Sequence, residues 1–196
     1  MYSHHFLLMT VHRGPILVSV LLPWSESCKS VFKCLQFHRR YLVFPLCAAS
    51  LEGYVKGKYT GPLPPNISCV YQMTSGLLHI HSKHYIHRDI SPENILISRC
   101  GSKLFISDFG LCQKVSPKES DIQHSREQVG KDNWEAPELL NQKGVHGTQS
   151  DIFALGCTIY YLVTKGKHPF QTGTVTEIPQ KILDNKWSLD GKKHCQ

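Results

Sequence analysis

The sequence predicts an α-rich α+β domain with long functional loops. Three observations carry that prediction. Ile67, Val70, Met73, Leu77 and Leu78 recur at helical spacing. Ile95-Leu96-Ile97 and Leu104-Phe105-Ile106 flank a turn at Arg99 to Ser102, the pattern of a hairpin. Ile152 to Val163 is apolar nearly all round, which marks a buried helix.

Taken in order, residues 1–36 show no clear period. Tyr41 to Cys47 reads as a buried strand running into a connector, with Pro45 at its end, where the missing N–H is tolerated. Ser50 to Val55 has room for one or two helical turns, and Gly57 to Pro65 is a loop by composition. Asn66 is a candidate N-cap for a helix reaching about Ser82. Residues 112–133 are polar and read as a long surface loop. Ser150 caps the buried helix, Gly166 stops it, and a weaker helix covers Ile178 to Trp187.

Composition narrows the function. The chain has 196 residues, 41% hydrophobic and 19% charged, so it can bury a core and is not of the disordered class. The net charge of +7 favours anionic partners such as phosphate or nucleotide. Its basic residues are scattered in nothing longer than pairs, so no nucleic-acid stripe is expected. The eight cysteines show no C-x-x-C spacing, and reduced thiols in the cytoplasm fit better than a disulfide scaffold. Ile16 to Leu22 is a seven-residue apolar run, far short of the roughly 20 residues that span a bilayer. His12-Arg13-Gly14-Pro15 splits it from Phe6 to Met9, which weakens it as a secretory signal. His79, His81, His84 and His87 lack the spacing of a zinc-binding helix.

Four motifs follow one another. His87-Arg88-Asp89-Ile90-Ser91-Pro92-Glu93-Asn94 fits H-R-D-x-x-x-x-N, Asp108-Phe109-Gly110 is D-F-G, and Ala136-Pro137-Glu138 is A-P-E. Asp151 and Gly156 lie within the buried helix. Each is weak alone; in this order around a hairpin they specify the catalytic lobe of a protein kinase. Phosphoryl transfer needs a positioned hydroxyl and neutralised phosphate charge. Asp89 sits on a loop where its carboxylate can accept a hydroxyl proton, and Asn94 and Asp108 are hard oxygen donors suited to Mg²⁺.

The stretch from about 41 to 187 resembles serine/threonine protein kinases. Within them it is similar to the inositol-requiring endoplasmic-reticulum stress sensors, which are joint kinase/endoribonucleases. Leu46 to Leu51, Thr74 to Leu77, Ser107 to Cys112, Ser150 to Phe153 and His168-Pro169-Phe170 carry that likeness. The resemblance implies a protein-kinase-like α+β fold, mainly the helical C-lobe with a remnant of the N-lobe sheet. It implies ATP and Mg²⁺ as cofactors and a protein substrate. Phe44 falls at the gatekeeper position, Leu46 and Cys47 on the adenine-binding hinge, and Leu96 on the adenine floor. Arg88 would receive a phosphorylated activation loop, with Ser116, Ser120 and Ser125 as candidate phosphosites. Asp151 would brace the catalytic loop, and His87, Phe109, Gly110 and Glu138 are structural members of the motifs. Lobe dimerisation is a further expectation. So is a cytoplasmic location in stress signalling (the unfolded protein response), with a longer form tethered at the endoplasmic-reticulum membrane.

The sequence also departs from the family. Residues 1–36 stay unassigned, and 37–196 reads as a kinase domain short of most of its N-lobe and its last helices. Gly14 is the only glycine before residue 40, so no Gly-rich phosphate loop is expected. Only 11 residues lie between Lys33 and Pro45, so Lys33 reads as a surface lysine rather than the phosphate lysine. Past Trp187 nine residues remain, which leaves no room for the arginine that pairs with the A-P-E glutamate or for an endoribonuclease segment. Ser91 stands where the family has lysine, and Lys131 where it has threonine. An exchange, with Lys131 supplying the ammonium that Ser91 lacks, is one reading; decay of the site is the other. The leading expectation is MgATP-dependent phosphorylation by Asp89, Asn94 and Asp108, with Lys131 in support. The alternative is a pseudokinase-like or truncated lobe that binds and regulates.

Overall fold

The computed structural model describes residues 5–11, 19–23, 32–34, 39–115, 133–141 and 146–188. The chain divides into two compact units, Met1–Ala48 and Ala49–Gln196. The first unit holds strands β1 (His5–Val11), β2 (Ser19–Pro23), β3 (Phe32–Cys34) and β4 (Arg39–Pro45). They form an antiparallel sheet in the order β2-β1-β4-β3, with Leu7 opposite both Leu21 and Phe44. Most of the apolar run at Ile16 to Leu22 is therefore strand β2. The stretch without a clear period contains three strands, because cross-strand pairing supplies what local alternation does not. β4 stops at Pro45, as a residue without an N–H dictates.

Strand β5 (Cys47–Ser50) crosses the division between the units and leads into helix α1 (Leu51–Val55). Ser50 caps α1, its hydroxyl accepting from the Gly53 N–H at 3.1 Å. Helix α2 (Asn66–Ser82) follows, one residue shifted from the expected start: Pro65 is the N-cap and Asn66 the first helical residue. Its buried row is Cys69, Met73, Leu77 and Ile80, spaced four, four and three residues apart. Ile67 and Leu78, expected on that face, are 78% and 67% exposed.

The second unit continues with β6 (Tyr85–Ile86), β7 (Ile95–Ser98) and β8 (Leu104–Ile106). β7 and β8 pair as the expected hairpin, and β5 completes a sheet in the order β5-β7-β8. Gln113–Lys114, taken from sequence as the start of a loop, is strand β9 and pairs with β6. Then come α3 (Pro137–Leu140), α4 (Thr148–Val163) and α5 (Ile178–Leu183), the last four residues shorter than expected. α4 begins two residues before Ser150. Gly147 is its N-cap, and the Ser150 hydroxyl closes the turn by donating to the Gly147 carbonyl and accepting its N–H. α4 is also not buried all round, since Ile152 is 58% exposed. Among the described residues, no helix is long and apolar enough to cross a membrane.

The core of the second unit joins Leu51, the buried row of α2, Ile90, Ile95, Ile97, Leu104 and, from α4, Ala154, Leu155 and Leu162. Fully burying a leucine, isoleucine or methionine contributes about 1.5–3 kcal/mol, so this cluster fixes the hairpin against both long helices. The hairpin turn depends on Gly101 at φ 67°, where an added Cβ would lie 2.2 Å from the Pro62 carbonyl oxygen. Gly101→Ala is expected to destabilise the fold by about 1–3 kcal/mol, read from the denaturant midpoint.

A second prediction concerns acid stability. His168 is buried, T-shaped against Trp134 at 5.0 Å, and burial pushes its imidazole down to about 4. The unfolded chain takes up this proton near the ordinary histidine value and the folded chain does not. Stability is therefore complete above about pH 6.5 and falls as pH drops toward 4, by about 3 kcal/mol in all. His168→Phe keeps a ring against Trp134 and is expected to flatten that decline in unfolding experiments between pH 7 and pH 4.

Candidate functional site

The loop between β6 and β7 carries His87 to Asn94, and its backbone is held from three directions. Asp151, in the first turn of α4 and 2% exposed, accepts the His87 N–H at 2.8 Å on Oδ2 and the Arg88 N–H at 2.9 Å on Oδ1. His81 at the end of α2 adds its Nε2–H, 2.8 Å from Asp151 Oδ2. Just after β8, the Ser107 carbonyl accepts from the His87 ring nitrogen Nε2 at 3.0 Å, while His87 Nδ1 accepts the Asp89 N–H at 3.3 Å. Those two bonds select the Nε2–H tautomer, and burial holds the imidazole below the usual histidine range, so the ring is neutral. Phe109 closes over it, edge to face at 5.1 Å.

Asn94 ties the candidate catalytic groups together. Its amide nitrogen donates to the Asp89 carbonyl at 2.8 Å and to Asp89 Oδ2 at 2.7 Å. Its own carbonyl accepts both the N–H and the hydroxyl of Ser107, at 2.9 and 3.0 Å, one residue before Asp108. Asp89 and Asn94 are buried and Asp108 is exposed. Asp108 and Arg88 have positive φ, 61° and 68°, although neither is glycine. Such backbone costs about 1–3 kcal/mol per residue and persists only where the surroundings enforce it. At Asp108 the carboxylate accepts the Gly110 N–H at 3.2 Å, and at Arg88 the Asp151 carboxylate holds the amide.

A magnesium ion fits this donor set. The Asn94 amide nitrogen is committed to Asp89, which leaves the amide oxygen to meet a cation, and Asp108 offers a carboxylate one residue from the Asn94–Ser107 bonds. Both are hard oxygen donors of the kind Mg²⁺ takes.

The structure thus brings together His87, Arg88, Asp89, Asn94, Asp108, Phe109, Gly110 and Asp151. Leu96 is half-buried in β7, and Glu138 stands in the first turn of α3. Phe44 is the next-to-last residue of β4, before Pro45, in the first unit, followed by half-buried Leu46 and by Cys47, whose thiol pKa burial pushes up. Lys131, Ser116, Ser120 and Ser125 lie outside the described residues. Ser91 is fully buried, and its hydroxyl has no hydrogen-bond partner among the described residues.

Sequence reasoning missed the parts played by Gln113, Leu111, His81, Trp134 and Glu135. Arg88 donates its Nη1 to Gln113 Oε1 at 3.0 Å and its Nε to the Leu111 carbonyl. His81 meets Asp151. Trp134 and buried Glu135 form one wall of a cleft beside Asp89. The Trp-Glu pair directly before A-P-E was a visible signal; the burial of its glutamate was not.

A model of the protein kinase domain matches residues 27–194. The chain is 39% identical over 162 residues to the serine/threonine-protein kinase/endoribonuclease ire-1 of Caenorhabditis elegans, a match covering 77% of this chain and 16% of that protein. It is 40% identical over 143 residues to the kinase/endoribonuclease IRE2 of Homo sapiens, covering 69% and 15%. The Schizosaccharomyces pombe sensor for unfolded proteins in the ER, ire1, is 31% identical over 185 residues, covering 76% and 16%. The chain therefore spans about one sixth of the length of these relatives. Among solved structures, a chain of the yeast RNA Pol II CTD kinase CTDK-1 complex superposes with a TM-score of 0.61 at 26% identity, over 78% of this chain and 48% of that one. The α+β kinase fold expected from the motifs is the fold observed, and with the domain match running from residue 27 to 194 this chain belongs to the protein kinase domain family, similar to the kinase part of the serine/threonine kinase/endoribonucleases.

Proposed function

We propose that this chain carries the catalytic lobe of an ATP- and Mg²⁺-dependent serine/threonine protein kinase working in stress signalling. The observation that supports this most is the Asn94 frame, which binds Asp89 with its side chain and the residue before Asp108 with its backbone. MgATP, when bound, supplies the phosphoryl group and the charge that offsets it. Phe44, Leu46, Cys47 and Leu96 are assigned to the adenine, and the Asn94 oxygen and Asp108 to the metal. Asp89 accepts the proton of the acceptor hydroxyl, held in orientation by the Asn94 amide. A general base of this kind contributes about 10²–10⁴-fold.

Arg88 is assigned a regulatory role. Its guanidinium now holds Gln113 and the Leu111 carbonyl, and a phosphate on Ser116, Ser120 or Ser125 would compete for it with charge-assisted bonds. Lys131 is assigned the ammonium that Ser91 cannot provide, and Lys131→Thr should then lower transfer without altering the fold. A cytoplasmic lobe, a longer form tethered at the endoplasmic reticulum and association of lobes belong to the same proposal, carried by the likeness to the stress sensors.

Phosphate transfer from MgATP to serine peptides tests it. Asp89→Asn is expected to lower the rate by about 10²–10⁴-fold with nucleotide binding kept, and Asp108→Ala to weaken MgATP binding itself. A chain that binds no MgATP while still holding a protein partner would instead be a regulatory module.

A further inference from the structure

Helix α2 has no Asp, Glu, Lys or Arg among its 17 residues. The outer face of a surface helix is ordinarily charged or polar, because that side meets water. Here Ile67, Tyr71 and Leu78 stand on it, 78%, 72% and 67% exposed. With exposed Thr74 they form one stripe on the side of the helix away from its buried row. The steps along the stripe are four, three and four residues. That spacing is the seam of two helices packed side by side, each side chain dropping between those of the neighbour.

The seam is its own complement. Take a two-fold axis passing between positions 72 and 73. An antiparallel copy then sets Ile67 against the second copy's Leu78, and Tyr71 against the second copy's Thr74; the two-fold repeats both contacts. Apolar meets apolar at the ends. In the middle a large ring meets a small side chain, with exposed Ser75 beside it, so the backbones can approach. A parallel copy would set ring against ring and Thr74 against Thr74, a poorer fit. Antiparallel helices also bring opposite dipole ends together.

Charge favours a second copy over a charged partner. The chain carries +7, so two copies repel where their basic residues meet. This helix is a face where they do not meet, and it offers a charged partner nothing to pair with. Area sets the strength. At these exposures the three side chains leave roughly 400–500 Å² open on each copy, and pairing covers about 900 Å² in all, at the small end of specific interfaces. Such a contact gives a weak dimer, with a dissociation constant on the order of tens of micromolar.

We infer that α2 is a self-association surface, through which two copies of this chain pair antiparallel along Ile67, Tyr71, Thr74 and Leu78. The inference rests on the association of lobes proposed above and names a surface for it. The catalytic assignment of Asp89 plays no part in it.

Sedimentation equilibrium of the full chain under reducing conditions, from about 1 to 300 µM, tests it. The average mass is expected to rise from monomer toward dimer across that range. Tyr71→Lys and Leu78→Lys each put an unpaired ammonium into the seam and should weaken association at least about tenfold. Both positions face water in the single copy, so the circular dichroism spectrum should not change. Thr74→Glu alone should weaken association likewise. Mixed in equal amounts, the Tyr71→Lys and Thr74→Glu chains should pair with each other better than either pairs with itself, because a Lys–Glu contact forms across the antiparallel seam. A chain that dissociated only because it folded poorly would not be rescued in this way. A wild-type chain that stays monomeric throughout overturns the inference and the association of lobes with it. Association unaltered by Tyr71→Lys and Leu78→Lys overturns the inference and leaves that association standing on another surface. A mixture that recovers no pairing overturns the antiparallel seam.

Discussion

The buried carboxylate of Asp151 is the contact on which the site depends. An ionised group this far from water is tolerated only when its oxygens are met by donors. Here the donors are the amides of His87 and Arg88 and the ring of His81. One carboxylate thus joins the start of α4, the end of α2 and the catalytic loop. Its place in the first turn of α4 adds a favourable helix dipole. Arg88 can keep its positive φ because its amide is held at 2.9 Å by this group. Hydrogen bonds to charged groups contribute about 1.5–3 kcal/mol, comparable to the cost of the strain.

From that anchor the geometry passes outward by backbone. With His87 fixed, its neutral ring bridges the Asp89 amide and the Ser107 carbonyl. Ser107 in turn meets Asn94, and Asn94 meets Asp89. The loop of hydrogen bonds closes on itself. A shift at any member is transmitted to the carboxylates at both ends, Asp89 and Asp108. The hydrophobic cluster beneath, from Leu51 to Leu162, supplies the rigid floor. The polar frame supplies orientation, and neither alone would hold Asp89 and Asp108 in register.

Much of this was legible in the sequence, for identifiable reasons. The H-R-D-x-x-x-x-N and D-F-G spacings are set by chemistry and by the reach of a short hairpin, so Asp89, Asn94 and Asp108 announced themselves. Local rules also found α1, the β7–β8 hairpin and the end of β4 at Pro45. They failed where tertiary partners decide. The buried face of α2 runs through Cys69 and Ile80, while Ile67 and Leu78 point outward, because the position of β8 and α4 chooses the face. β1 pairs with β4 across about thirty residues, and β1, β2 and β3 leave no local alternation to read. Gln113 and Glu135 looked like ordinary polar residues until the fold placed one on Arg88 and the other in a cleft wall.

Amide hydrogen exchange at His87 and Arg88 tests the central role of Asp151 most directly. In the native chain both amides should be as protected as Ile95 and Ile97 of the core sheet. In Asp151→Asn they should exchange about tenfold to a hundredfold faster while the sheet amides stay unchanged, the size expected for loss of a hydrogen bond to a charged group. Equal protection of His87 and Arg88 in the two proteins would show that the loop is held by something other than this carboxylate, and would contradict the account.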